Sequence, residues 1–234
     1  MAKQTSAKAP KHLGKFQGAA DFPAAPTFTE LLSQEANEPG LKKGDRTRRR
    51  VLLATAVALA ATPFAALNMD QIAKTADVSR AALYQYVGSK DDAVRAVLNN
   101  FHSRTLSFPA AVKGAREPLD AIFRTNRYYI DYFAKNAVFM ERIRELHQIM
   151  PELIAEKQRV NREWAARVMR HAIRHRREPL PRASLHLRVL ALECMIDDVL
   201  REIFVIRNPD LVEAAQDMDA LAFELSAIWH RVLY

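Results

Sequence analysis

Arg80, Tyr84, Gln85, Tyr86, Ser89 and Lys90 crowd into the short stretch VSRAALYQYVGSK, Val78 to Lys90. A guanidinium can read guanine O6 and N7 in the major groove, and a carboxamide can read adenine. Phenol and ammonium groups donate to phosphates, which sets register without reading sequence. The small side chains of Ala81 and Ala82 let a helix approach closely and touch thymine methyls. Leu83 supplies an inward anchor, flanked by Val78 and Val87, so Arg80, Ala81, Ala82, Tyr84 and Gln85 fall on the outer arc. Ser89 and the free amides after it add an anion site at a helix start. The competing reading is a core helix with two buried phenol rings.

A second basic group precedes this stretch. Arg46, Arg48, Arg49 and Arg50 stand at the start of a helix, where the macrodipole disfavours cations. Nearby phosphates would offset that penalty, each contact adding salt-sensitive affinity. A solvated basic face is the bland alternative.

These groups need helices to carry them. DRTRRRVLLATAVALAA, from Asp45, runs basic and then apolar until Thr62-Pro63 ends it. NMDQIAKTA follows, with Asn68 and Gln71 at capping-box spacing and Ile72, Ala73 and Ala76 inward. Ser79 caps the short helix that bears the outward arc, Gly88 stops it, and Ser89 with Asp92 opens the next. Three short helices in this order match a helix-turn-helix, whose second member enters the major groove while the first braces it. Downstream, Pro118 opens a helix with apolar residues at helical spacing. Another is expected over Ala137–Met150, then a long arginine-rich helix to about Arg177, and two more over Ser184–Ile206 and Asp210–Leu233. No sustained strand-like alternation occurs, so the expected fold is all-α. In Arg167, Arg170, Arg174, Arg176 and Arg177, a solvated helix face is the preferred reading over a second basic patch.

The chain has 234 residues, 49% hydrophobic, and a net charge of +8, which favours a polyanionic partner. No uncharged apolar run is long enough for a membrane span, and the start lacks the apolar core of a secretory signal. A cytoplasmic protein with no membrane partner is expected. The single cysteine, Cys194, excludes an internal disulfide framework, and its apolar setting reads as a small buried hydrophobe. There is no H-E-x-x-H, no paired E-x-x-H, no Walker loop and no G-x-S-x-G, so no enzyme, catalytic residue, metal or cofactor is expected. Residues 1–44 read as an extension, largely flexible, with a possible short helix at 28–37 opened by a Thr27/Glu30 capping box. Such a helix is marginal unless docked. Residues 45–101 read as the helix-turn-helix domain and 102–234 as a helical body.

The segment MDQIAKTADVSRAALYQYVGSKDDAVRAVL resembles the DNA-binding helices of the TetR family of bacterial regulators. Ile72-Ala73, Val78-Ser79, Leu83-Tyr84, Tyr86 and Ser89-Lys90 fall on the family's pattern. The resemblance covers roughly residues 46–101. Departures are Asp77 where the family usually has glycine, Ala82 in place of a hydroxyl residue, and Val87 in place of phenylalanine. Ala65-Ala66 stand near a missing glycine after the first helix.

The resemblance implies a homodimer on a palindromic double-stranded operator, and a ligand-released repressor as the default. Dimerisation would use the last two helices, with Leu192, Ile196, Val199, Ile203, Phe223 and Trp229 as candidates. A small hydrophobic or aromatic effector would sit in the body. Its candidate lining is Phe123, Arg127, Tyr129, Phe133 and Phe139, with Met140, Ile143, His147, Trp164 and Met195. Arg127 or His147 could receive a carboxylate. The alternative is a regulator or architectural protein of the same fold without an effector.

Overall fold

The computed structural model describes residues 24–105, 115 and 117–234. The expected extension thus lies outside the described residues up to position 23. The described residues are all-helical: α1 Phe28–Ala36, α2 Lys43–Ala61, α3 Met69–Ala76, α4 Arg80–Tyr86, α5 Lys90–Thr105, α6 Pro118–Ile149, α7 Glu152–His175, α8 Arg182–Arg201 and α9 Met218–Leu233. They form two compact units, one of residues 25–105 with 132–168, the other of 117–131 with 169–234. This grouping differs from the extension, head and body read in the sequence, because α6 and α7 each run from one unit into the other.

In the first unit, α2 buries Val51, Ala54, Thr55, Ala56 and Leu59 on one face. The Thr55 hydroxyl, fully buried, donates to the Val51 carbonyl at 2.8 Å and so carries no unmet group into the core. Asn68 caps α3 through the Asp70 N–H; its Gln71 does not complete the expected box. Asp77 closes α3 in the left-handed region at φ 53°, with its N–H on Lys74 O and that of Val78 on Ala73 O. That paired closure is a Schellman turn, whose left-handed position normally takes glycine. Arg50 bridges the Asp77 carboxylate at 2.9 Å, an exposed pair that contributes little. Asp77→Gly is therefore expected to stabilise the protein by ~0.5 kcal/mol net, raising the melting temperature by about 2 °C. A calorimetric scan showing a lower melting temperature would mean that the Arg50 bridge outweighs the backbone strain.

Ser79 caps α4, accepting from the Ala82 N–H at 3.1 Å, and α4 buries completely only Leu83. Ser89 caps α5, accepting from the Asp92 N–H and donating to its carboxylate. A Cβ on Gly88 would meet that carboxylate at 3.0 Å, so the glycine permits the tight entry.

α1 carries the Thr27/Glu30 capping box in full and is docked rather than loose. Phe28, Leu32 and Ala36 are buried, and Asn136 on α6 accepts the Phe28 N–H at 2.7 Å. Asn136 also donates to Tyr132 O within its own helix. The separate helix expected from Ala137 does not form: α6 runs unbroken for 32 residues, with Asn136 spent on α1 instead of on a cap.

In the second unit, α8 turns Leu185, Val189, Leu192, Ile196 and Leu200 inward. It ends in a wider π-helical turn, Glu202–Ile206, closed by Arg207 at φ 61°. A 3-10 turn, Val212–Gln216, takes up chain expected in the last helix, and Asp217 then caps α9. The α6 segment of this unit is tied to α9 by a buried Asn126–Ser226 hydrogen bond of 3.0 Å and by Arg127 on Asp219 at 2.6 Å. No described helix is long and apolar enough to cross a membrane.

Candidate nucleic-acid interface

The two tyrosines of α4 differ in exposure. Tyr84 is 40% exposed, and Arg80, Ala81 and Gln85 are also exposed; Ala82 and Tyr86 are half-buried. Leu83, fully buried, and the half-buried Val78 and Val87 fix the rotation of α4. The resulting outer arc combines a guanidinium, a carboxamide, a phenol and a methyl group. Arg80 is preset by its neighbours: it pairs with Asp70 of α3 at 3.1 Å and lies 5.9 Å from the Tyr84 ring centre. Asp70 was not singled out in the sequence; only its spacing of ten from Arg80 hints at the pair.

The arginine cluster of α2 divides in two. Arg46 and Arg48 are exposed, and their side chains make no contact among the described residues that would consume their charge. Arg49 instead donates to Glu35 O at 2.8 Å and to Glu38 at 2.5 Å, bracing α1. Arg50 serves the turn through Asp77. Lys90 donates to Phe64 O at 3.1 Å and sits 4.4 Å from that ring's centre, joining the 3-10 turn after α2 to the start of α5. The Ser89 hydroxyl is engaged by Asp92, and Asp91 and Asp92 already complement the positive end of α5.

The other candidates separate. Phe123, Arg127, Tyr129 and Met195 belong to the second unit; Phe133, Phe139, Met140, Ile143, His147 and Trp164 belong to the first. Phe123, Phe133, Phe139 and Ile143 are core residues. Arg127 is held by Asp219, and the Tyr129 hydroxyl donates to Asp197 at 2.5 Å. Met140, Trp164 and Met195 are partly exposed. His147 stacks on His102, a partner that no sequence spacing announces.

Of the dimer candidates, Leu192, Ile196, Ile203 and Trp229 are buried within the protomer itself, while Val199 and Phe223 are half-buried. The outward side of α8 carries Leu187, Ala191, Cys194 and Asp198 at helical spacing, and that of α9 carries Ile228. Cys194 is thus exposed, not the buried hydrophobe its sequence setting suggested. The apolar run around it is wider than the single stripe that the protomer core covers.

Residues 51–97 match the family model described as bacterial regulatory proteins, tetR family. No curated protein matches the chain. Among solved structures, a tetR-family transcriptional regulator from Streptomyces coelicolor shares the fold with a TM-score of 0.65 at 14% identity, covering 80% of each chain. The fatty acid degradation regulator FadR from Bacillus halodurans aligns with a TM-score of 0.63 at 17% identity, over 80% of this chain and 96% of that one. Residues 51–97 thus carry a segment of the tetR-family type, and the fold is the one these tetR-family regulators of known structure share.

Proposed function

We propose that the protein is a DNA-binding transcriptional regulator that acts as a homodimer on a palindromic operator. One observation carries this reading: α4 is anchored by Leu83 and presents Arg80, Ala81, Tyr84 and Gln85 outward, behind a braced α3. Residues 45–101 then form the DNA-reading head and 102–234 the body. Arg46 and Arg48 add phosphate contacts, with Tyr86 and the remaining donors of Lys90 completing the backbone grip. Arg49 supports the head through α1. The outward apolar residues Leu187 and Ile228, with Ala191 and Cys194, favour pairing through α8 and α9. Such pairing sets two α4 helices against successive major grooves.

A small apolar effector in the body releases the repressor by favouring a head spacing that does not fit those grooves. The resemblance to the family favours this mode.

Selection of genomic fragments by the purified protein tests the reading and yields the operator. On that operator, Arg80→Ala should cost ~1–3 kcal/mol and relax preference at one position in each half-site. Arg48→Ala should weaken specific and random DNA alike and lower the salt slope by about one. If Arg80→Ala changes the salt slope alone, Arg80 grips phosphate and does not read a base. Failure to enrich any fragment would retire the DNA-binding reading.

A further inference from the structure

His102, near the end of α5, is 6% exposed, and its Nδ1 has no hydrogen-bond partner among the described residues. His147 of α6 stacks on it, ring centres 5.5 Å apart and planes at 22°, and its buried Nε2 also lacks a partner. Buried imidazoles ordinarily place such nitrogens on a carbonyl or a carboxylate, because an unmet polar atom costs the loss of its hydration. Here two unmet nitrogens belong to one stacked pair.

The charges around the pair decide what it can receive. Lys157 of α7 acts on both rings and Arg144 of α6 on His147; both keep the imidazoles neutral, and burial does so more strongly. Glu156 of α7 opposes this at His102, but Arg159 holds that carboxylate with two hydrogen bonds of 2.6 and 2.9 Å. A cation would meet Lys157, and no three His, Cys, Asp or Glu side chains among the described residues are grouped to hold a metal. An anion would find two potential N–H donors, and the positive charge of Lys157 that disfavours protonated imidazoles favours it. Next to the pair are aromatic side chains: Phe101 lies edge-on to His102 with ring centres 6.2 Å apart, and Phe28, Phe139 and Tyr132 pack on Phe101 at 5.1 to 5.9 Å.

We propose that His102 and His147, with Lys157, form a carboxylate-binding site for a small molecule with an apolar body. Ligand entry is coupled to uptake of protons from solvent by the imidazoles, whose charged forms then donate to the carboxylate oxygens. The proposal rests on the effector reading and names the ligand class.

The test uses the full chain with two probes, octanoate and 4-phenylbutyrate, against the matching amides, at pH about 6 and about 8. Binding is read by melting temperature and by the histidine ring NMR signals. The carboxylates should raise the melting temperature, more at the lower pH, and shift both ring signals, while the amides do neither. His147→Gln and, independently, Lys157→Met should weaken binding about tenfold or more; the second leaves both rings in place if the first perturbs folding. Amides as effective as carboxylates, inorganic phosphate as effective as either, or variants that bind undiminished would overturn the site. Operator binding is followed in the same titration. Carboxylate binding without operator release retires the effector reading and leaves the site. Release that survives both substitutions retires the site and leaves the effector reading.

Discussion

Phe28→Ala should destabilise the protein by about 3–5 kcal/mol, the range for removing a fully buried aromatic ring. The ring is 1% exposed and packs edge-on against Phe101 at 5.1 Å and tilted on Phe139 at 5.0 Å, with Arg104 above it at 5.9 Å. Phe28 is also the first residue of α1, a helix of nine residues that is too short to persist without packing. Its loss therefore reaches beyond one cavity. Leu32 and Ala36 leave the core with it, and Glu35 leaves Arg104, which it grips through both oxygens at 2.7 Å. Arg49 loses Glu35 and Glu38 together. Urea unfolding should show the lower midpoint, and limited proteolysis should cut the chain before α2. A loss under about 1 kcal/mol would mean that α1 adds little to the first unit.

What the sequence disclosed follows the range of each interaction. The Thr27/Glu30 box is local, three residues apart, and was legible. The dock that keeps α1 helical is not, because Asn136 stands 108 residues from Phe28 and reads locally as a break in α6. The rotation of α4 was legible from the isolated Leu83, since a helix of two turns with a single large apolar residue has one inward direction. The tethers of the basic side chains were not: Lys90 on the Phe64 carbonyl and Arg49 on α1 depend on where neighbouring helices end. On α8 the apolar stripe was legible as a stripe. Periodicity alone does not say whether the protomer or a second copy covers it, and Leu192, Ile196 and Ile203 go to the protomer's own core. The surplus falls on Leu187 and Cys194, which stay exposed on the outward side of α8.

Acid should unfold the protein earlier than its carboxylates require. Burial, reinforced by His147 and Lys157, lowers the His102 pKa from its ordinary 6.5 to about 4. His147 falls to about 4 as well, through burial, Lys157 and Arg144. Above pH 6.5 neither the folded nor the unfolded chain protonates these rings, and they exert no pH-dependent effect. As pH falls below 6.5 the unfolded chain takes up protons that the folded chain refuses, so stability drops through the window and levels off below about 4. His102 alone accounts for a loss of about 3 kcal/mol; His147, only half-buried, adds less. His171, lowered by burial with His175 and Arg174, pulls in the same direction, so the comparison must be made by substitution. Glu30 is lowered by its bonds to Thr27, and Glu156 by Arg159; these carboxylates lose their contribution only at lower pH, below the ordinary 4.5. Urea midpoints of the parent protein should therefore fall steeply between pH about 6.5 and about 4, and those of His102→Asn should fall less. Equal slopes for parent and variant would mean that His102 already finds a proton-stabilising partner in the folded protein.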